Sequence, residues 1–143
     1  MRYKLRNLKE KYPNIVQLTT AAEEFDIHHD FKCGLDQCQL DIVTVTDISA
    51  PSDEKIQVFI SGAFHGNERV GPHVSYYLIE YLASNFNKDP RITYLLQNRE
   101  IVITPMTNSY GFYFNIREEM VKTLNNPTKL VDPNRDFPYN NSE

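Results

Sequence analysis

Residues Ile56 to Leu82 read IQVFISGAFHGNERVGPHVSYYLIEYL. A β-branched and aromatic run, Ile56 to Ile60, opens the stretch and predicts a strand buried on both faces. The chain then turns through Ser61, Gly62 and Ala63 and presents His65 and Glu68 just before a helix. Ligands of open α/β sheets gather at the carboxyl ends of strands, which is where this pair falls. A neutral imidazole and a carboxylate are both good ligands for Zn²⁺, and a three-residue spacing lets them converge on one ion. Gly62 and Gly66 suit a tight backbone path around such an ion. Spacing alone favours a blander reading. The chain has four His and ten Glu, and a Glu in the first turn of a helix is favoured by the helix dipole whatever lies nearby.

Working outward, a helix is expected from about Arg69 to Phe86. Pro72 falls in its first turn, where a missing N–H costs little. Val70, Val74, Tyr77, Leu78, Tyr81 and Leu82 form its expected core-facing stripe. Asp89 and Pro90 have the pattern of a cap and first residue of another short helix, with Ile92, Leu95 and Leu96 facing the core. Glu100 to Thr104 reads as a strand ended by Pro105. Upstream, Arg2 to Tyr12 has helical spacing at Tyr3 or Leu5, Leu8 and Tyr12, and Pro13 and Asn14 end it. Ile15 to Leu18 and Leu40 to Val45 read as strands, and Ser49 to Glu54 as a loop around Pro51. Thr19 to Phe31 is polar with no clear period. After Pro105 the periodicity fades, and Asn125 to Lys129 reads as a turn. The order strand, helix, strand predicts an α/β fold: a mixed, mostly parallel sheet flanked by helices.

The chain's 143 residues and 41% apolar content fit one globular domain with its own core. A formal charge of −4 leaves no electrostatic footprint for nucleic acid. No apolar run approaches the ~18 residues of a membrane span. The N-terminus MRYKLRNLKEKYP lacks the apolar centre of an export signal. Cys33 and Cys38, in CGLDQC, are two free thiols in a loop or a small disulfide-closed loop. A metal site built from them would need further ligands, with His28 and His29 the nearest. The compartment stays open.

FHGNERVG before a long helix, then ITPMTNSYGF, then VDPNRDFPY, resembles the zinc metallocarboxypeptidases related to pancreatic carboxypeptidases A and B. In that family a strand leads to an H-x-x-E zinc pair, a second strand to a Pro and an N-P-D-G-Y/F turn, and a third segment reads D-x-N-R-N/D-F. The resemblance runs from about Tyr12 to Tyr139, with the three segments in the family's order. It implies that His65 and Glu68 are zinc ligands and that Asn134 and Arg135 hold the substrate's terminal carboxylate, for which a planar guanidinium is suited. It also implies that Arg117 polarises the scissile carbonyl and stabilises the oxyanion. The residue-level alternatives are a salt bridge of the Asn134-Arg135 turn to Asp132 or Asp136, and a surface pairing of Arg117 with Glu118, Glu119 or another acid. Asn108, Gly111 and Phe112 match the structural turn, with Ser109 and Tyr110 in place of Pro and Asp.

The same resemblance implies Zn²⁺ as cofactor, the C-termini of peptides or proteins as partners, and release of C-terminal amino acids as the reaction. It places a third zinc-ligating His and a general-base Glu well downstream of the Asn-Arg pair. None of His28, His29 and His73 matches that ligand, and His73 falls on the helix after the zinc pair as a packing or surface residue. Residues 1–143 are therefore expected to be the N-terminal portion of a single catalytic domain, incomplete at its C-terminal side and inactive alone, with a complementing C-terminal segment as partner. Two other readings stand beside this one. An aspartoacylase-like zinc deacylase shares an HGNE-like pair and a D-L-N-R segment. A catalytically dead carboxypeptidase-like domain would be a binding module.

Overall fold

The computed structural model describes residues 1–51, 55–122, 128–135 and 137. Helix α1 (Arg2–Lys11) leads to strand β1 (Val16–Thr20), short helix α2 (Ala21–Phe25) and a two-stranded ribbon, β2 (Lys32–Cys33) and β3 (Asp36–Gln37). Strands β4 (Asp41–Val45) and β5 (Ile56–Ser61) follow, then helices α3 (Val70–Asn85) and α4 (Pro90–Asn98) and strand β6 (Arg99–Thr104). Helix α5 (Ser109–Phe114) and a second ribbon, β7 (Glu119–Val121) with β8 (Lys129–Val131), lead to a 3-10 turn at Pro133–Arg135. The expected turn at 125–129 falls mainly outside the described residues, with Lys129 opening β8.

The main sheet has the order β1-β4-β6-β5. It is mixed: β1–β4 and β4–β6 are antiparallel, and the parallel pairing among the described strands is β5–β6. Parallel pairing needs a long crossover, supplied here by α3 and α4. Those two helices and α1 cover one face. Leu5 and Leu8 of α1, Ile79, Leu82 and Ala83 of α3, and Leu96 of α4 pack on Val16, Val43, Val45, Ile101 and Ile103. The α4 start is as the sequence predicts. The Asp89 carboxylate accepts from the Arg91 N–H and Pro90 holds the first position.

Two expectations about burial are corrected. Strand β5 is not buried on both faces: Ile56 is 61% and Phe59 65% exposed. It is the edge strand, hydrogen-bonded to β6 on one side, so its apolar residues lack the neighbours that would bury them. The α3 stripe is also rotated from the expected one. Pro72, Ser75, Ile79, Leu82 and Ala83 face the core, while Val70, Val74, Tyr77 and Tyr81 are exposed. Small residues at 75 and 83 let the helix approach the sheet, and the larger aromatic side chains fall outside.

The polar stretch after Thr19 holds α2 through a capping box. The Thr20 hydroxyl accepts from the Glu23 N–H, and the Glu23 carboxylate accepts from the Thr20 N–H. Of the two states left open for the cysteines, the structure has the disulfide, Cys33–Cys38, closing the β2–β3 ribbon.

Asp41, at the start of β4, is 2% exposed and lies 3.0 Å from the Arg2 Nε. Neither atom has a well-aligned hydrogen-bond partner among the described residues. Burial pushes the Asp41 carboxyl above its ordinary value, and the Arg2 charge opposes this without cancelling it. The folded chain thus keeps this proton to higher pH than the unfolded chain. The stability from Asp41 is complete below the unfolded value and is lost as pH rises through the raised folded value. Asp41→Asn removes the charge and should flatten that fall. Urea unfolding between pH 4 and 7 checks it: the variant should gain on the wild type as pH rises. A wild type that gains on the variant instead would show that the Arg2 pair outweighs burial.

Candidate active site

The parallel pair β5–β6 brings two strand ends together, with Ser61 beside Thr104. The segments that follow are laced by backbone bonds. Gly62 N–H donates to Thr104 O, and Thr107 and Asn108 N–H donate to the carbonyls of Gly62 and Ala63. Asn108 is 2% exposed and uses its whole side chain. Its Oδ1 accepts from the Gly111 N–H at 2.6 Å, capping α5. Its Nδ2 donates to Phe64 O and Arg117 O, both at 3.2 Å. One amide therefore joins the His65 loop, the start of α5 and the segment carrying Arg117. The expected Asn108–Phe112 turn is the first turn of a helix. Gly66 passes so close to α5 that a Cβ there would fall within the backbone of Gly111 and Phe112, and its N–H donates to Arg117 O.

This lacing holds His65 at 6% exposure. Its Nδ1 lies 2.9 Å from Glu68 Oε1, and its Nε2 lies 2.9 Å from Asp132 Oδ1. Arg117 spans the same two acids, at 3.5 Å from Glu68 Oε1 and 3.4 Å from Asp132 Oδ2. Of the alternatives for Arg117, Glu119 pairs with His29 instead, while Glu68 is itself a well-exposed acid, so the pairing seen is at once a surface ion pair and a contact with the expected site. Asp132 also accepts from the Asn134 N–H. The hydrogen bond from His65, helped by the Asn134 N–H and the Arg117 charge against partial desolvation, holds the Asp132 carboxyl below its ordinary value. Phe64 meets Phe137 edge-on at 5.4 Å, a second link between the two distant motifs.

A neutral imidazole has one N–H, yet two carboxylates flank this ring. His65 and Glu68 are the residues that would hold a cation here, which would leave the far ring nitrogen to carry the proton and donate to Asp132. Imidazole nitrogen and carboxylate oxygen suit Zn²⁺, and a carboxylate on the far nitrogen is the usual outer support of a zinc-bound His. The residues present therefore fit the ion. Among the described residues no group of three or more His, Cys, Asp or Glu side chains could hold it, since Asp132 is on the opposite nitrogen.

His65, Glu68 and Arg117 are brought together as expected. Asn134 and Arg135 stand next to them in the 3-10 turn, with exposed side chains. Arg135 does not pair with Asp132 through its side chain; its N–H donates to Asp132 O, and Asp136 lies outside the described residues. Arg135 and Asp132 share the wall of a cavity of about 620 Å³ that also reaches Glu119 and Leu130. His73 is on the surface of α3, its Nδ1 2.7 Å from Arg69 O. Asp132 is the residue that sequence reasoning undervalued. Its signal was present, as the first letter of D-x-N-R.

The architecture is that of solved metallocarboxypeptidases. Thrombin activatable fibrinolysis inhibitor superposes with a TM-score of 0.74 at 18% identity, covering 95% of this chain and 32% of that one. Carboxypeptidase A from Helicoverpa armigera gives 0.60 at 17% identity, covering 84% and 27%. The family model for zinc carboxypeptidases matches residues 34–143, and the chain belongs to that family. Carboxypeptidase D of Rattus norvegicus is 36% identical over 107 residues, 75% of this chain and 7% of that protein. Carboxypeptidase M of Mus musculus is 40% identical over 83 residues, 52% of this chain and 17% of that protein. The chain thus spans a small fraction of the length of these relatives.

Asn108→Ala should destabilise the fold by about 2–4 kcal/mol, because it orphans the Gly111 N–H and two inward-facing carbonyls. Asn108→Asp keeps the α5 cap but turns a carboxylate oxygen toward Phe64 O and Arg117 O. Denaturant midpoints should place Asn108→Asp no better than Asn108→Ala. Near-wild-type stability in Asn108→Asp would refute the role given to the amide.

Proposed function

We propose that residues 1–143 are the N-terminal part of a zinc metallocarboxypeptidase domain that releases C-terminal amino acids from peptides or proteins. The observation that carries this reading is the His65 ring, flanked by Glu68 at one nitrogen and Asp132 at the other. His65 Nδ1 and Glu68 hold the ion. Asp132 orients the ring and fixes its proton on Nε2. When bound, Zn²⁺ supplies Lewis-acid activation of water and of the scissile carbonyl. Arg117 donates to the oxygen on which negative charge develops, from a guanidinium already directed at the metal pair. Asn134 and Arg135 fix the substrate's terminal carboxylate.

The third ligand and the general base are assigned to a complementing C-terminal segment. Two features support this assignment. The free edge of β5 exposes Ile56, Val58 and Phe59, and α3 exposes Val70, Val74, Tyr77 and Tyr81 at helical spacing. The chain also matches 32% of the thrombin activatable fibrinolysis inhibitor chain, so the fold has further elements to add.

Zinc titration of the purified chain tests the ligand pair. His65→Ala should abolish measurable binding, and Asp132→Asn should weaken it by about 10–100-fold. Equal zinc binding in wild type and His65→Ala would sink the assignment.

Activity is tested separately. The chain alone should release no C-terminal residue from a blocked dipeptide and should have low solubility. A longer form carrying the complementing segment should be active, and a chelator should silence it. Chelator-sensitive release by the 143-residue chain would show that its site needs no complement. Preferential hydrolysis of an N-acyl amino acid by the longer form would favour the deacylase reading. Zinc binding with neither activity would favour the binding module.

A further inference from the structure

The segment Asp26–Cys38 lies far in sequence from the catalytic motifs, yet it packs on the elements either side of Arg117. The His29 Nδ1 accepts from the Phe31 N–H at 3.0 Å, so its proton is on Nε2, which donates to Glu119 Oε1 at 3.0 Å. Both side chains are less than one-fifth exposed. The His29 ring stacks on Tyr110 of α5, 6.0 Å between centroids and 6° from parallel, and Phe31 meets the same ring edge-on. Asp30 pairs with Lys122 just past β7 at 3.4 Å. Within the loop the disulfide closes, Gly34 has φ +86°, a backbone conformation that favours glycine, and a Cβ there would stand 3.1 Å from the Tyr113 hydroxyl. Cys33 Sγ lies 3.7 Å from Ser109 O.

Helix α5 has six residues and β7 three. Elements that short do not hold a position by themselves and take it from what they pack against. Between them runs Asn115 to Glu118, which carries Arg117. One arm therefore grips both ends of the segment that delivers the guanidinium to Glu68 and Asp132.

We propose that His29 and Glu119 are positioning residues for Arg117, with the arm Asp26–Cys38, pinned at its tip by the Cys33–Cys38 disulfide, bracing α5 and β7 so that Arg117 stays against the His65–Glu68 pair. The functional meaning rests on the oxyanion role given to Arg117 above; the mechanical coupling does not. Among the described residues the arm's contacts named here fall on α5, β7 and Lys122 just past it, so its effect reaches Arg117 as geometry. Loosening it frees the Arg117 backbone and side chain together. The Gly66 N–H, which donates to Arg117 O, reports the first, and the reactivity of the guanidinium reports the second.

The test uses the 143-residue chain at micromolar concentration, with residue-resolved hydrogen exchange and labelling of arginine by phenylglyoxal, both read by mass spectrometry. His29→Ala should speed Gly66 exchange and Arg117 labelling about tenfold, with the amides of Val43 and Ile103 in the central strands unchanged. His29→Gln, whose amide can donate to Glu119 and accept from Phe31, should restore both rates. The double variant Cys33→Ser/Cys38→Ser should reproduce the His29→Ala pattern and replaces it if His29→Ala does not fold. Unaltered Gly66 and Arg117 rates in these variants would overturn the proposal. So would a loss of protection shared equally by Val43 and Ile103, which marks general destabilisation. Neither readout uses zinc or turnover, so the brace and the carboxypeptidase reading can fail independently.

Discussion

The site depends on one buried amide. Asn108 caps α5 with its oxygen and holds Phe64 O and Arg117 O with its nitrogen. The start of α5 and the Arg117 stretch follow Asn108 directly, the Phe64 segment lies 44 residues earlier, and none is long enough to stabilise itself. A carboxamide meets the need because it offers an acceptor and two donors in one plane. Aspartate would supply the acceptor alone, and a serine would not reach both carbonyls. Once the amide is in place, the ends of β5 and β6 are joined and the loop carrying His65 has one path.

The charged contacts around His65 are of a different kind. Glu68 and Arg117 are both well exposed, so their 3.5 Å pairing is worth about 0–1 kcal/mol. It does not build the site. The Asn108 amide, the backbone bonds around it and the Phe64–Phe137 contact build it, and the charges then occupy that geometry. This separation suits a metal site, where the ligand carboxylate has to exchange one partner for another without disturbing the fold. Asp132 is the exception among the charges. It is tied to the His65 ring and to the Asn134 N–H, and it transmits the position of the Pro133–Arg135 turn to the ring.

Much of this was legible beforehand, unevenly. The strands Asp41–Val45 and Arg99–Thr104, helix α1, and the Asp89-Pro90 start of α4 follow from local chemistry. The pairing of His65 with Glu68 is allowed by their spacing and was singled out by the family resemblance. Helix α2 had a readable signal, Thr20 and Glu23 three apart, that its polar composition hid. The α3 stripe could not be read from periodicity. Val70, Val74, Leu78, Ile79, Leu82 and four tyrosine and alanine positions make the helix apolar on most sides, so several stripes fit equally well. Which one faced the sheet was settled by the small residues Ser75 and Ala83. For β5, an apolar run says that a strand is suited to burial and says nothing about whether a neighbour is there to bury it.

The sequence by itself determined the chemistry available: a His and a Glu three apart whose side chains suit zinc, the D-x-N-R segment, and the resemblance to zinc carboxypeptidases that the family match confirms over residues 34–143. These are properties of residue type and short spacing, which the linear chain states directly. Only the tertiary structure decided that Asp132 contacts His65 across 67 residues, that Arg117 meets Glu68 and Asp132 and not Glu119, and that the arm carrying Cys33 and Cys38 packs against α5. Each of those contacts joins segments whose separation in sequence says nothing about their distance in space. For the site itself, the parallel pairing of β5 with β6 sets the His65 loop beside the segment that follows β6, a long-range register that no local pattern encodes.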